Sequence, residues 1–225
     1  MKIDKSKVSD SFQAYLIKNA NFTNLEEYPI LENEMISKSI PIDIMPFQKA
    51  ITYQGDLSNT FICFFEPDET FERVRRNPQR YLNFFKRTAG IIGLDFSVHS
   101  DMPVIKQKAQ MNDNLSLTYY YGSHGIPIIP NIRCGIDELI PEYLSAIPKH
   151  SIIAIGTHGF VKQNPQRYEW FCFLEKIIVE LKPKKIIVYG TLPGKIFDDL
   201  KMKSDFIFYD SWIVKRINEV KSHGN

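Results

Sequence analysis

The chain has 225 residues, of which 28 are lysine or arginine and 26 are aspartate or glutamate, so its formal net charge is +2. This length suits one α/β domain or two small ones, and a hydrophobic content of 44% is enough for a packed core. The three cysteines form no CxxC pair, which excludes a zinc ribbon or a thioredoxin-like redox pair, and the near-balanced charge gives no argument of its own for a nucleic-acid or membrane partner.

Proline interrupts the amino-terminal part of the chain repeatedly. Residues 11–20 predict a short helix, and Pro29, Pro41 and Pro46 then mark extended or turn segments, because proline fixes φ and lacks an amide donor. We expect residues 1–57 to be an extended, proline-punctuated lead-in that packs on the main body. Residues 58–225 are expected to form a domain of repeated βα units.

From residue 59 onwards, short apolar runs alternate with helical patterns. Strands are predicted at residues 60–65, 90–96, 126–132, 151–155, 185–189 and 205–209. Helices are predicted at residues 70–76, 78–88, 104–121, 137–144, 165–181, 193–200 and 211–220. Apolar strands that alternate with helices predict a parallel sheet that is buried on both faces.

The number of βα units bears on the fold class. Six predicted units are fewer than the eight of a complete TIM barrel, and the stretch around residues 42–51 is a candidate for a further strand. We therefore predict an α/β fold with a parallel sheet, built as an irregular or incomplete TIM-like barrel. An open doubly wound sheet is the alternative.

Polar residues follow the predicted strands, at the edge where α/β proteins usually build their sites. Asp95 ends the second predicted strand, and Ser97 and Asp101 lie on the loop beyond it. A carboxylate at this place can act as a general base or a nucleophile, or it can be a loop carboxylate that accepts hydrogen bonds from backbone amides. We assign Asp95 as a catalytic candidate and Ser97 and Asp101 as substrate-binding candidates.

Asn131 and Arg133 lie two residues apart at the end of the third predicted strand, so strand alternation turns them to the same side. The planar fork of arginine suits a carboxylate or a phosphate, and both residues are substrate-binding candidates. The alternative is an internal arginine–aspartate pair, with Asp95 as partner, that orders the edge of the sheet.

The fourth and fifth predicted strands also end in polar residues. Thr157 and His158 stand between two glycines, and Tyr189 precedes a third. His158 is the second catalytic candidate, as a general acid or base, with a loop histidine bonded to a carbonyl as the alternative. Thr157 and Tyr189 are substrate-binding candidates. Glu66 and Asp68, after the first predicted strand, are interpreted as caps of the helix that begins near residue 70.

The strongest run of charge is basic. It comprises Arg73, Arg75, Arg76, Arg80, Lys86 and Arg87. Aromatic residues lie between these side chains, a mixture that suits a nucleic-acid backbone. A solvated face of two amphipathic helices explains the pattern equally well, and the same surface is a candidate for capturing a host protein.

Other motifs are lacking. The sequence contains no phosphate-binding glycine motif and no histidine pair with metal-ligand spacing, so it assigns no cofactor-binding or metal-binding residue and leaves any cofactor unknown. The amino terminus lacks the apolar segment of a signal peptide, and no run approaches the ~18–20 apolar residues that cross a bilayer. We therefore expect a cytoplasmic protein without a membrane partner.

Six short motifs occur in order along the chain. They are residues 44–47 (Ile-Met-Pro-Phe) with 49–50; 71–73 (Phe-Glu-Arg) with 77–78 and 81; 93–97 (Gly-Leu-Asp-Phe-Ser) with 101–103; 129–133 (Ile-Pro-Asn-Ile-Arg); 155–159 (Ile-Gly-Thr-His-Gly); and 187–190 (Ile-Val-Tyr-Gly). This set resembles an uncharacterised family of bacteriophage and mobile-element proteins known only as a domain of unknown function, and it covers residues 28–200. One departure is Cys134, where the family pattern has tryptophan.

The resemblance implies a phage or mobile-element origin, a bacterial host cell as the location and an unsettled activity, and it brings no catalytic residues. The residues and the resemblance together favour an enzyme that acts on a nucleotide or a nucleic-acid-like anionic substrate at the carboxyl edge of the sheet. The alternative is a non-catalytic protein that captures a host or defence factor. The sequence leaves the oligomeric state open.

Overall fold

Seven short parallel strands form the framework of the protein. The computed structural model describes residues 10, 13–157, 164–190, 200 and 203–223. The strands are β1 (Asp43–Pro46), β2 (Thr60–Cys63), β3 (Gly90–Ile92), β4 (Ile128–Ile129), β5 (Ile152–Gly156), β6 (Lys185–Tyr189) and β7 (Phe206–Tyr209). The mixed α/β class and the parallel pairing that the sequence predicts are confirmed. The further strand expected around residues 42–51 is β1.

The strands lie in two sheets whose spatial order follows the chain. One sheet has the order β1-β2-β3-β4 and the other β5-β6-β7. A parallel bridge between Asn131 and Ala154 joins them. The Ile132 amide donates to the Ala154 carbonyl at 2.9 Å, and the Ala154 amide donates to the Pro130 carbonyl at 2.8 Å. In the described part of the chain neither sheet reverses its order, as a doubly wound sheet would require.

Helices follow most of the strands. They are α1 (Phe47–Ala50), α2 (Asp68–Arg76), α3 (Leu82–Phe85), α4 (Val104–Ser123), α5 (Ile140–Ser145), α6 (Asn164–Leu181) and α7 (Trp212–His223). Short 3-10 helices lie at Ala14–Ile17, Asn33–Met35, Pro78–Tyr81 and Asp137–Leu139. The predicted helix at residues 193–200 lies outside the described residues except for its last position.

Two apolar clusters occupy the two faces of the strands, because successive side chains along a strand point to opposite sides. The larger cluster joins one face of the strands to the helices. The smaller cluster contains Ile44, Phe61, Cys63, Ile92, Ile129, Ile152, Ala154, Ile187 and Tyr189, with Tyr209 packed against it. Every one of the seven strands therefore contributes to the smaller cluster.

The last strand and helix contact the first strand. The Tyr209 hydroxyl, at the end of β7, donates to the Pro41 carbonyl. The Lys215 ammonium on α7 lies 2.7 Å from the Asp43 carboxylate on β1. These contacts join the two ends of the strand order. They also show that part of the first 57 residues contributes to the framework, while the division of the chain after residue 57 stays a prediction.

Two strands are shorter than the sequence predicts. β4 keeps only two residues of the predicted 126–132, because Pro127 and Pro130 have no amide to donate. β3 ends at Ile92 rather than residue 96, because side chains of α4 replace the next strand as hydrogen-bond partners. The Thr118 hydroxyl accepts from the Leu94 amide at 3.2 Å, and the side chain of Asn114 bonds both the amide and the carbonyl of Phe96.

Candidate functional site

Asp95, Asn131 and Arg133 converge at the carboxyl ends of β3 and β4. The Asn131 Nδ2 donates to the Asp95 Oδ1 at 2.7 Å and to the Leu94 carbonyl at 3.2 Å. The Arg133 Nε lies 3.9 Å from the same Asp95 oxygen. The side chains of Asp95 and Arg133 are each 12% exposed, so the group is nearly buried but open to one side.

Burial dominates the electrostatics of Asp95. It raises the pKa of this carboxyl above its ordinary value, and the negative charge of Asp68 acts in the same direction. The Arg133 cation and the hydrogen bond from Asn131 oppose the rise. A carboxyl whose pKa moves upward in this way holds its proton closer to neutral pH, which suits general acid–base chemistry.

One buried oxygen of this group has no hydrogen bond to any described residue. It is the Asn131 Oδ1, although the Nδ2 of the same amide makes two hydrogen bonds. Buried polar atoms are usually satisfied, so this oxygen is a position where a ligand can bond.

Ser97 faces a different partner. Its hydroxyl donates to the Asp68 Oδ1 at 2.9 Å, and its amide donates to the same carboxylate at 3.1 Å. Asp68 is the first residue of α2, so this contact fastens the segment after β3 to the start of that helix. Ser97 therefore lies beside the Asp95 group, with its side chain already engaged.

Thr157 and Tyr189 lie together at the ends of β5 and β6. The Thr157 amide donates to the Tyr189 carbonyl at 3.1 Å. The Tyr189 ring stacks on the half-buried Phe65 ring, with centroids 5.2 Å apart, and its hydroxyl accepts from the Trp212 amide at 2.9 Å. Burial raises the pKa of the Cys63 thiol, a hydrogen bond with the Tyr189 side chain lowers it, and the negative charge of Asp95 raises it, so Cys63 lies near both this pair and the Asp95 group.

The remaining two candidates are Asp101 and His158. Asp101 lies in an exposed turn, where it has no hydrogen bond or ion pair with another described residue. The turn is closed by the Met102 amide, which donates to the His99 carbonyl at 3.1 Å. His158 lies outside the described residues.

Glu66 and Asp68 do not cap the helix that was expected near residue 70. The Glu66 carboxylate accepts from the Gln48 amide at 3.0 Å and so serves α1, while Asp68 binds Ser97. The interpretation from sequence was wrong because it considered only the next helix along the chain. Burial raises the pKa of Glu66, which makes it a second perturbed carboxyl at this edge. Its place after a buried strand was visible in the sequence, but its bond to the Gln48 amide was not.

The basic run divides into internal and exposed members. The Arg75 guanidinium lies 2.6 Å from Glu72, 2.9 Å from Asp113 and 4.4 Å from the Phe96 ring centroid, so it joins α2 to α4. Arg76 contacts Glu72 at 3.5 Å, but its side chain is 78% exposed. Arg75 is therefore a structural residue rather than part of a free basic surface.

Replacing Arg75 by alanine should lower the free energy of unfolding by about 2 kcal/mol, because it leaves Asp113 and Glu72 without their main cation and uncovers the Phe96 ring. Arg76→Ala, one position along the same helix, is the matched control and should cost less than about 0.5 kcal/mol. Urea unfolding measures both values. Equal losses would show that Arg75 does not make these contacts in solution.

A cleft of about 560 Å³ lies at the opposite edge of the strands, near their amino ends. Phe61, Ala89 and Pro127 are among its lining residues. None of the candidate residues that the structure describes lines it, so it does not belong to the Asp95 group. Among the described residues no cluster of histidine, cysteine, aspartate or glutamate has the arrangement of a metal site. In the same part of the chain, no helix combines the length and apolarity needed to cross a membrane.

Comparisons with known proteins place the chain in a family. Residues 22–210 match the model of the family described as Domain of unknown function (DUF4417). The chain is 27% identical over 130 residues to the Gene 1 protein of Mycobacterium phage L5, covering 57% of this chain and 56% of that protein. It is 23% identical over 146 residues to the Gene 1 protein of Mycobacterium phage D29, covering 65% of this chain and 53% of that protein. The matched region thus spans about half the length of these curated relatives.

No solved structure matches the chain. The family match extends from the lead-in before β1 to the end of β7, so it includes every strand of the framework and the whole Asp95 group. The chain therefore belongs to the DUF4417 family.

Proposed function

We propose that this protein is an intracellular enzyme of phage or mobile-element origin that acts on a nucleotide or a nucleic-acid-like anionic substrate. Its active site lies at the carboxyl edge of an irregular, incomplete TIM-like barrel. The observation that carries the proposal is the nearly buried Asp95, which has a raised pKa and lies against Arg133 and against Asn131, whose Oδ1 bonds to no described residue. The two phage relatives support the origin.

The barrel is supported by the smaller apolar cluster. All seven strands contribute to it, and Asp43 on β1 is connected to Lys215 on α7, the helix that follows β7 at the other end of the strand order. A sheet that curls until its two ends meet encloses one face of its own strands, whereas an open sheet leaves both faces to helices. An experimental structure in which helices cover both faces would contradict this part of the proposal.

Each residue of the group has a separate role in the proposed reaction. Asp95 takes a proton from the substrate, or from a water molecule, through its carboxylate. Asn131 holds the other carboxylate oxygen through Nδ2 and offers its unpaired Oδ1 to a substrate donor. Arg133 supplies positive charge close to the reacting carboxylate, where it attracts an anionic substrate. The 12% exposure of both charged side chains limits access to one small group at a time.

Asp95→Asn should abolish conversion of nucleotides while leaving the fold intact, because asparagine keeps the shape of the side chain but cannot take a proton. We expect a loss of about 100-fold or more in turnover. The measurement is chromatography of deoxynucleoside triphosphates and of a short oligonucleotide after incubation with the protein. Asp101→Asn, which changes an exposed aspartate of the neighbouring loop, is the matched control and should leave turnover unchanged.

The alternative, a non-catalytic protein that captures a host or defence factor, makes the opposite prediction. In that case neither probe is converted, and Asp95→Asn behaves like the wild type in host-factor capture. Turnover that survives in Asp95→Asn would also contradict the proposed role of this carboxylate.

A further inference from the structure

We infer that a single strand of nucleic acid binds along a basic face that runs down the side of the protein from the proposed active site. This basic face comprises Lys49, Arg73, Arg76, Arg80, Lys86 and Arg87. The inference rests on the proposed function only where it states that the nucleic-acid strand leads to Asp95. Binding to the face itself depends on the charges described below.

The Phe47 ring brings the six cations to one side of the molecule. The Arg73 guanidinium lies 5.1 Å from its centroid, and the rings of Tyr81 and Phe85 lie at 5.3 and 6.1 Å. Lys49 is two residues from Phe47, Arg80 precedes Tyr81, and the last two cations directly follow Phe85. The face therefore lies around one aromatic centre, although its members come from four segments: α1, α2, the 3-10 helix at Pro78–Tyr81 and the turn after α3.

The positive charge of the face is largely unneutralised. All six residues are exposed, and among the described residues only Arg76 has an ion pair, at 3.5 Å to Glu72. Glu72 already binds Arg75 at 2.6 Å. The other acidic residues of α2 are Asp68, which binds Ser97, and Glu69, which is exposed. Apart from the Glu72 carboxylate, the half-buried Glu66 carboxylate interacts with two of the cations, Lys49 and Arg73, so the six positive charges exceed the negative charge beside them.

The face begins at the proposed active site. Lys49 and Arg73 both lower the pKa of Glu66, whose burial raises it, so they lie near the carboxyl end of β2. β2 pairs with β3, the strand that leads to Asp95. From there α2 and the segments after it carry the charge towards the amino ends of the strands, since Arg87 follows α3 and lies shortly before Gly90, the first residue of β3.

Phosphate is the anion that this face suits best. Four of the six cations are arginines, whose planar fork binds phosphate oxygens through two parallel hydrogen bonds. Six cations on one face can contact several phosphates at once, which a phosphodiester backbone offers and a single nucleotide does not. The strand must be single, because a base paired within a duplex cannot reach a carboxylate that is 12% exposed.

The test is fluorescence anisotropy of the full chain with a labelled oligodeoxythymidine of about 20 nucleotides across a range of salt concentrations. The triple variant Arg76→Glu, Arg80→Glu, Arg87→Glu should bind about 100-fold more weakly, and its salt slope should fall by about 2, since each lost phosphate contact contributes about 0.7 for a single strand. The control variant Lys18→Glu, Lys38→Glu, Lys184→Glu carries the same charge change on exposed residues elsewhere and should change affinity less than about threefold. Circular dichroism confirms that both variants fold.

Several outcomes separate this inference from the proposed function. Asp95→Asn that binds the oligonucleotide normally supports the basic face, whether or not the wild type converts the strand. Three results would overturn the inference: no binding by the wild type at low salt, a wild-type affinity that does not change with salt, or a triple variant that binds as tightly as the wild type. Capture of an acidic host protein through these arginines, without oligonucleotide binding, would overturn it in favour of a protein partner.

Discussion

Gly90→Ala should lower the free energy of unfolding by about 3 kcal/mol. Gly90 opens β3 with a φ of +155°, a conformation that side chains rarely adopt. An added Cβ would lie 2.4 Å from the Pro127 carbonyl oxygen and 2.5 Å from the Phe61 ring. The carbonyl is backbone and accepts from the Ile91 amide at 2.9 Å, so it cannot move without breaking the link between β3 and β4. Urea unfolding with a constant m-value measures the loss.

Gly125→Ala separates the cost of the backbone conformation from the cost of the steric clash. Gly125 also has a positive φ, of +79°, but an added Cβ would meet no atom within 4 Å. Alanine there should therefore cost only about 1 kcal/mol, which is the backbone strain alone. Equal losses at the two glycines would mean that β2, β3 and β4 do not approach one another as closely as described.

The strands were largely predictable from sequence because their apolar runs are continuous and are buried on both faces. The lengths of the strands were not predictable, because the end of each strand depends on hydrogen-bond partners that are remote in sequence. β3 ends where Asn114 and Thr118 of α4 take over its hydrogen bonds, and nothing in residues 90–96 reveals this. The prolines that shorten β4 were visible, but an apolar run that contains proline still resembles a strand.

The candidate site also has residues whose place was predictable from the sequence and residues whose partners were not. Asn131 and Arg133 were predictable as neighbours of Asp95, because alternation and the parallel order fix which side chains meet at a shared edge. Asp68 and Glu66 were misinterpreted because each bonds an element other than its own helix. Local pattern shows which residues can cap a helix, but the packing of loops decides which helix or loop receives the bond.

Arg133→Met should lower the free energy of unfolding by about 2 kcal/mol at neutral pH. Methionine keeps most of the apolar stem, but the nearly buried Asp95 loses its nearby cation. The pKa of Asp95 in the folded protein already exceeds its ordinary value of 3.8, mainly through burial, and Arg133 limits that rise. A carboxyl of this kind contributes stability below its unfolded pKa and loses it as the pH rises through its folded pKa. Without Arg133 the folded pKa rises further, so the cost of the variant should be small in acid and should grow towards neutral pH.

The Asp95→Asn background tests whether this cost belongs to the pair. Asparagine does not titrate, so Arg133→Met in that background should cost less and should not depend on pH. The coupling energy of the double-mutant cycle should therefore increase from below pH 3.8 to neutral pH. A cost that is the same in both backgrounds, at every pH, would mean that Arg133 does not act on Asp95. The carboxyl would then lack the electrostatic control that its role as a proton acceptor beside an anionic substrate requires.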